Sequence, residues 1–116
     1  MKRRNFGIPA GPRGRAVLAD AIGCFAHAAY PPGGSDCAQV SRETLFTTAA
    51  TIDSSVETPQ VSTRHRVLLR QAVQWYCANI ETLADDHRAA LAEALLQLLK
   101  GEMVDDARFD ETASVR

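Results

Sequence analysis

Apolar residues recur at steps of three and four along much of the chain, which is the spacing of one face of an α-helix. This pattern predicts helices over residues 15–30, 63–84 and 86–102. A loop at 31–36 (PPGGSD) ends the first helix, because prolines and glycines favour turns over continued helix. Gly101 directly follows the apolar pattern of the last helix and is a typical stop signal.

Residues 41–53 (SRETLFTTAATID) carry conflicting signals. Ser41 is a suitable N-cap, and the apolar positions that follow it have helical spacing. The four threonines of this segment, together with Phe46 and Ile52, favour a β-strand instead. We predict a helix over 41–53, with a strand as the alternative, followed by a polar linker over 54–63.

Both ends of the chain depart from the helical pattern. Residues 1–14 contain three glycines and two prolines, and this density of structure-breaking residues predicts an extended arm. The arm is also basic, since the first fifteen residues hold five cationic side chains and no carboxylate. Residues 104–116 are polar and acidic with little to bury, which predicts a flexible tail. The helical domain between arm and tail spans 15–103.

The last two predicted helices are joined by a very short connection. Such a connection between amphipathic helices is typical of an antiparallel hairpin. We therefore predict an all-α fold of three to four helices around this central antiparallel helical hairpin, with the extended N-terminal arm and the acidic C-terminal tail outside it.

The composition is that of an ordinary small globular domain. The chain has 116 residues, of which 46% are apolar and 23% are charged, and its formal net charge is −1. One domain is the expectation at this length. No apolar run approaches the roughly 18 residues that a membrane-spanning helix needs.

The cysteines bear on the compartment and on metal binding. Cys24, Cys37 and Cys77 form an odd set without CxxC spacing, which argues against a disulfide framework and a structural zinc site. We predict a reducing, cytoplasmic location. A Cys24–Cys37 disulfide in an oxidising compartment is the alternative.

Export is a second possibility for the location. RRNF at 3–6 resembles the twin-arginine signal pattern, although Gly7 and Ile8 follow where the pattern prefers leucine and lysine. An AHA sequence at 26–28 has the form of a cleavage site. Asp20 interrupts the apolar segment that such a leader requires. A small subunit exported to the periplasm is therefore kept as an alternative.

No motif indicates catalysis. The chain contains no GxSxG, P-loop, GxGxxG or HExxH sequence, so we predict neither an enzyme nor a cofactor. Asp20, Cys24 and His27 share one helix face and are metal-binding residue types, but we interpret Cys24 as part of the core margin and predict no metal site. Cys77 lacks a nearby base, so we expect it to be buried and inert.

The leucine-rich fourth helix favours a protein-interaction function. Its apolar surface covers more than one face, so it must be covered by the domain itself, by a partner, or by a second copy in a symmetric dimer. We predict a small non-enzymatic interaction module, such as an accessory subunit, adaptor, inhibitor or immunity-type protein. Its expected partner-binding residues are Phe6, Ile8, Leu91, Leu95, Leu98 and Leu99.

A nucleic-acid-binding regulator is the alternative function. Arginines at the start of the third helix and in the arm could together hold phosphates. The residues of this surface are Lys2, Arg3, Arg4, Arg13, Arg15, Arg64, Arg66 and Arg70. The net charge of −1 argues against it, because nucleic-acid-binding domains are usually more basic. The high alanine and arginine content suggests a GC-rich bacterial genome.

Overall fold

The computed structural model describes residues 5–54, 58–80 and 84–109. These ranges contain four long α-helices and one small β-ribbon, and a further helical turn lies at residues 107–109. The helices are α1 (Pro12–Ala29), α2 (Asp36–Ser54), α3 (Arg66–Asn79) and α4 (Asp85–Leu99). A single 3-10 turn, Thr63–His65, leads into α3. The ribbon consists of β1 (Asn5–Gly7) and β2 (Gln60–Ser62). The mostly helical content confirms the all-α fold class.

The segment with conflicting signals is helical. α2 covers all of residues 41–53 and begins earlier than predicted, at Asp36. Its threonines occupy positions 44, 47, 48 and 51, a spacing that places them on one side of a helix. The helical period therefore outweighs the β-propensity of the individual residues, and the strand alternative is wrong.

Two helix boundaries also differ from those predicted. α1 begins at Pro12 rather than at residue 15, because proline is well accommodated in the first turn, where its missing N–H has no helical acceptor. α3 ends at Asn79, short of the predicted residue 84. α4 ends at Leu99, and Gly101 follows with a φ of 84°, the left-handed conformation that glycine adopts most readily after a helix.

The helices pack in the spatial order α2, α1, α3, α4. α1 contacts both α2 and α3, while α4 packs mainly against α3. The predicted arrangement, with the last two helices as a central antiparallel hairpin, is not confirmed. α1 and α3 occupy the middle of the described part instead.

The predicted extended N-terminal arm is not confirmed: residues 5–7 are extended, as strand β1, but residues 12–14 already belong to α1, and the segment is folded onto the domain. β1 pairs antiparallel with β2 in the register Asn5 to Ser62 and Gly7 to Gln60. The ribbon continues beyond β1, where Ile8 N–H donates to the carbonyl of Pro59 at 3.0 Å. Phe6 and Ile8 are buried, and the burial of these two large apolar side chains holds the segment in place. The predicted linker at 54–63 thus supplies one strand of the ribbon.

The predicted flexible tail is wrong for residues 104–109. Val104 and Phe109 are buried in the same core cluster as the helices, and Phe109 is completely inaccessible to solvent. The two apolar positions of this acidic segment are therefore enough to fix it to the domain. Residues 110–116 of the predicted tail lie outside the described residues.

The core is one continuous cluster that draws on every described helix and on both strands. Among the described residues, no helix is both long and apolar enough to cross a membrane.

Candidate nucleic-acid interface

The six residues predicted to bind a protein partner lie in the domain's own core. Phe6 and Ile8 of the N-terminal segment are buried, and so are the four leucines of α4. The residues concerned are Phe6, Ile8, Leu91, Leu95, Leu98 and Leu99. Their own chain covers them, so they do not form an exposed contact surface. Their assignment to a protein partner stays a prediction that no exposed surface of these residues supports.

Two of the predicted nucleic-acid residues are exposed on the described surface. Arg64 lies in the 3-10 turn and Arg70 lies in the second turn of α3, and both side chains are exposed. Neither forms an ion pair with a carboxylate in the described ranges. No carboxylate of residues 5–54, 58–80 and 84–109 therefore neutralises either charge.

Arg66 lies between them in sequence and contacts the ribbon. Its guanidinium carbon is 4.1 Å from the centroid of the Phe6 ring, a distance at which a cation interacts favourably with an aromatic face. Its Nε is buried and has no hydrogen-bond partner among the described residues. This stacking ties the start of α3 to β1 and restricts the motion of the Arg66 side chain.

Unlike Arg64 and Arg70, the arginines of α4 and of the segment after it lie beside carboxylates. Arg88 bonds to the carboxylate of Asp85, and Arg108 lies 4.0 Å from a carboxylate oxygen of Glu93. Both of these arginines thus have an acidic partner, which Arg64 and Arg70 lack among the described residues.

The ribbon places Asn5 beside the segment that leads into α3. Asn5 lies directly opposite Ser62, which is followed at once by the 3-10 turn that carries Arg64. Basic residues immediately precede Asn5 in the sequence. These residues, Lys2, Arg3 and Arg4, fall outside the described part of the chain.

The remaining two basic residues of the prediction lie in the first turn of α1. Arg15 donates a hydrogen bond from its guanidinium to the carbonyl of Ala10 at 2.9 Å, so its side chain stabilises the segment that leads into α1. Arg13 is exposed beside it. The structure thus places Arg64, Arg66 and Arg70 in the 3-10 turn and the first two turns of α3 and gives Arg15 a local structural role.

His65 is part of the same surface. Burial, followed by the neighbouring positive charge of Arg64, lowers the pKa of His65 below its usual value. The imidazole is therefore neutral at pH 7, where it can both donate and accept a hydrogen bond.

A polar groove runs beside this basic surface, between α2 and the ribbon. One hollow of about 250 Å³ is lined by Thr47, Thr48 and Thr51 and, opposite them, by Asn5, Gln60, Ser62 and His65. A second hollow of about 310 Å³ shares Thr47, Thr48 and His65 and extends along α2 past Thr44. We call the two together the threonine groove. Its sequence signal was the helical spacing of the threonines, which the prediction used only to decide between helix and strand.

Three residues of types that can bind metals, for which no metal site was predicted, lie in a separate cleft between α1 and α2. Asp20, Cys24 and His27 line it together with Phe46, and its volume is about 500 Å³. Among the described residues, no cluster of three or more His, Cys, Asp or Glu side chains is arranged to hold a metal ion.

Asp20 of this cleft accepts hydrogen bonds from neighbouring side chains. The hydroxyl of Tyr76 donates to one Asp20 oxygen at 3.0 Å, and the thiol of Cys24 lies 3.8 Å from the other. Burial and then the Asp20 charge raise the pKa of both Tyr76 and Cys24. Asp20 thus links α1 to α3 through Tyr76, which gives Asp20 a structural role.

Comparison with known protein families, with curated proteins and with solved structures finds no match to this chain.

Proposed function

We propose that this protein is a small, non-enzymatic nucleic-acid-binding module. Its contact surface is the start of α3, with Arg64, Arg66 and Arg70, together with the basic residues that precede β1. The observation that carries the proposal is the exposure of Arg64 and Arg70 without an acidic partner in the described chain.

The charge distribution supports this function despite the net charge of −1. The first fifteen residues hold five cations and no acid, and β1 joins this segment to the strand that precedes α3. In the described chain, positive charge is clustered at the start of α3, at Arg64, Arg66 and Arg70. A local cluster of this kind is sufficient to neutralise phosphates and to release their counterions, which provides sequence-independent affinity.

The geometry also supports a role in positioning nucleic acid. Arg66 is held against the Phe6 ring, so less side-chain entropy is lost when its guanidinium contacts a phosphate. Arginine donates through a planar fork that matches phosphate oxygens. The exposed Arg64 and Arg70 flank it in sequence and extend the contact along the start of α3.

A protein partner remains a prediction without a surface to support it. The six residues proposed for it are buried. Among the described residues, the exposed large apolar side chains are Val40, Val67 and Met103. The cytoplasmic location stays part of the proposal, and the three cysteines, which are free thiols, are compatible with a reducing compartment.

The test compares two double variants of the full chain. Fluorescence anisotropy measures the Kd for a labelled DNA duplex of about 20 base pairs at low salt, where phosphate contacts are strongest. We expect Arg64→Gln with Arg70→Gln to weaken binding roughly tenfold, because two phosphate contacts are lost.

The matched control is Arg88→Gln with Arg108→Gln, which removes the same charge from arginines that are already paired. Exposed ion pairs contribute little to stability, so the control should stay folded. It should bind the duplex as the natural sequence does. Equal weakening by both double variants would show that only the net charge matters, and an absence of binding by the natural chain would overturn the proposal.

A further inference from the structure

The Arg66 guanidinium and the Phe6 ring form a two-layer stack where β1 meets the start of α3. The guanidinium carbon lies over the ring, 4.1 Å from its centroid. Phe6 belongs to the core and is 9% exposed, whereas Arg66 is half-buried. Arginine covers aromatic faces in this way through cation–π attraction and planar stacking. The guanidinium is therefore the outer layer of the stack, on the solvent side of the core.

Arg66 differs from Arg42, which also lies over an aromatic ring. The Arg42 guanidinium is 4.8 Å from the centroid of the Phe46 ring, and it donates a hydrogen bond to the carbonyl of Tyr30 at 3.0 Å. Arg66 makes no hydrogen bond or ion pair with any described residue. Of its nitrogens only Nε is buried without a partner, so the two terminal nitrogens are the accessible end of the group. The fold thus uses one face of Arg66 and none of its donors.

Two further cations flank the stack in sequence. Arg64 and Arg70 are exposed and lack an acidic partner among the described residues. Arg66 and Arg70 are four residues apart on α3, so they lie on the same helix face, with Cβ atoms roughly 5–6 Å apart. Arg64 precedes the stack in the 3-10 turn. A planar cationic group is thus accompanied by two cations suited to phosphates.

This combination matches a nucleic-acid strand whose bases are unpaired. In a duplex each base is covered by its stacked neighbours, and a protein reads only the base edges in the grooves. An unpaired base exposes its π-face, and proteins bind such bases by stacking them on aromatic rings or on guanidinium planes. The edge of the guanidinium can donate to a phosphate of the same strand while its face carries the base.

We propose that the nucleic acid bound at the start of α3 is single-stranded, with one base stacked on the Arg66 guanidinium and neighbouring phosphates at Arg64 and Arg70. This inference rests on the proposed function and specifies its substrate class. Phe6 is a positioning residue, because it holds the guanidinium in place before the base arrives and so reduces the ordering cost of binding. A duplex would contact the same arginines through its phosphates alone.

The test measures the Kd of the full chain by fluorescence anisotropy for two labelled single strands of about 12 nucleotides. One strand is an oligothymidylate, and the other carries abasic sugars throughout, so both have the same charge. We expect the oligothymidylate to bind about tenfold more tightly, the order that stacking of one base provides. Arg66→Lys keeps the charge and removes the plane, so its Kd for the oligothymidylate should rise to that for the abasic strand.

Arg70→Lys is the matched control, because Arg70 lies over no aromatic ring among the described residues. It should keep the preference for the oligothymidylate. Both lysine variants should bind the abasic strand as the natural chain does, which shows that the surface is intact. The proposal is overturned if the natural chain binds the two strands equally, or if Arg66→Lys retains the preference.

The unpaired bases of DNA and RNA share this stacking chemistry. An oligouridylate of the same length separates the two sources: tighter binding than the oligothymidylate identifies RNA as the preferred strand, and weaker binding identifies DNA. Either result requires that the base-containing strand binds more tightly than the abasic one.

Failure of this inference and failure of the proposed function are distinguishable. The duplex affinity should be the same in Arg66→Lys as in the natural chain, because phosphate contacts need the charge and not the plane. A natural chain that binds the duplex and both single strands with similar affinity retains the proposed function without a stacked base. A chain that binds neither the duplex nor the single strands overturns both.

Discussion

The carboxylate of Asp106 links two segments that are far apart in the sequence. Its oxygens accept hydrogen bonds from the backbone N–H groups of Arg13, at 3.1 Å, and of Gly14, at 2.8 Å. The first turn of a helix has N–H groups without helical acceptors. Gly11, the N-cap of α1, has no side chain with which to satisfy them. The acceptor comes instead from a segment that the sequence pattern identified only as an acidic tail.

We predict that Asp106→Ala lowers the free energy of unfolding by about 1 kcal/mol, the usual effect of removing a side-chain cap. Urea denaturation followed by circular dichroism measures this change. Glu102→Ala is the control, because Glu102 is exposed, and it should change the midpoint little. Equal midpoints for the two variants would contradict a capping role for Asp106.

The three thiols differ in exposure and should differ in reactivity. Cys37 is exposed, Cys24 is half-buried and Cys77 is buried. Burial raises the pKa of Cys77 to about 11, and burial together with Asp20 raises that of Cys24. Because the thiolate is the reactive form, a raised pKa leaves less of it at a given pH.

We therefore predict that a disulfide reagent at about pH 8 modifies Cys37 first, Cys24 more slowly and Cys77 only after unfolding. Mass spectrometry of the modified peptides over time gives the order. Guanidinium chloride provides the control, since all three should react at similar rates in the unfolded chain. Rapid modification of Cys77 in the native protein would show that its pocket is open to solvent.

At the scale of elements, the helices were predictable and the ribbon was not. Apolar spacing identified all four helical regions, because packing on one face imposes that period over many residues. Each strand has only three residues, which is too short for an alternation pattern to be distinctive. Their pairing also joins positions more than fifty residues apart, a contact that no local pattern indicates.

The segment after α4 is held to the domain by the burial of Phe109. Phe109 is fully buried and packs against Gly14 of α1. A side chain at Gly14 would place its Cβ only 3.0 Å from the Phe109 ring. Gly14, which the sequence pattern grouped with structure-breaking residues, thus permits a close approach between α1 and the segment.

We predict that Phe109→Ala destabilises the protein by about 3–5 kcal/mol, the range for removal of a buried aromatic side chain. Met103→Ala is the matched control from the same segment, because Met103 is 84% exposed. Its melting temperature should be close to that of the natural chain. Similar melting temperatures for both variants would mean that Phe109 does not hold residues 104–109 to the domain in solution.

At the scale of the whole molecule, the basic residues of the candidate site could be predicted from the sequence, but the elements that pack around them could not. Arg64, Arg66 and Arg70 were recognised because they cluster within one helical start. The partner-binding assignment of the α4 leucines stays a prediction without an exposed surface, since these leucines are buried in their own domain. Apolarity requires that a surface be covered, but it does not specify by what. The threonine groove required the ribbon, whose pairing could not be predicted from the sequence.

The central claim is that the start of α3 and the basic N-terminal residues bind nucleic acid through phosphate contacts. Its most direct test is the Kd of the natural chain for a labelled duplex measured between about 50 and 200 mM salt. The account predicts that the logarithm of the affinity falls linearly with the logarithm of the salt concentration. The slope should become shallower by about 2 in the Arg64→Gln, Arg70→Gln variant, since each phosphate contact contributes about 0.9. An affinity that does not depend on salt, or a slope that the double variant leaves unchanged, would contradict the claim.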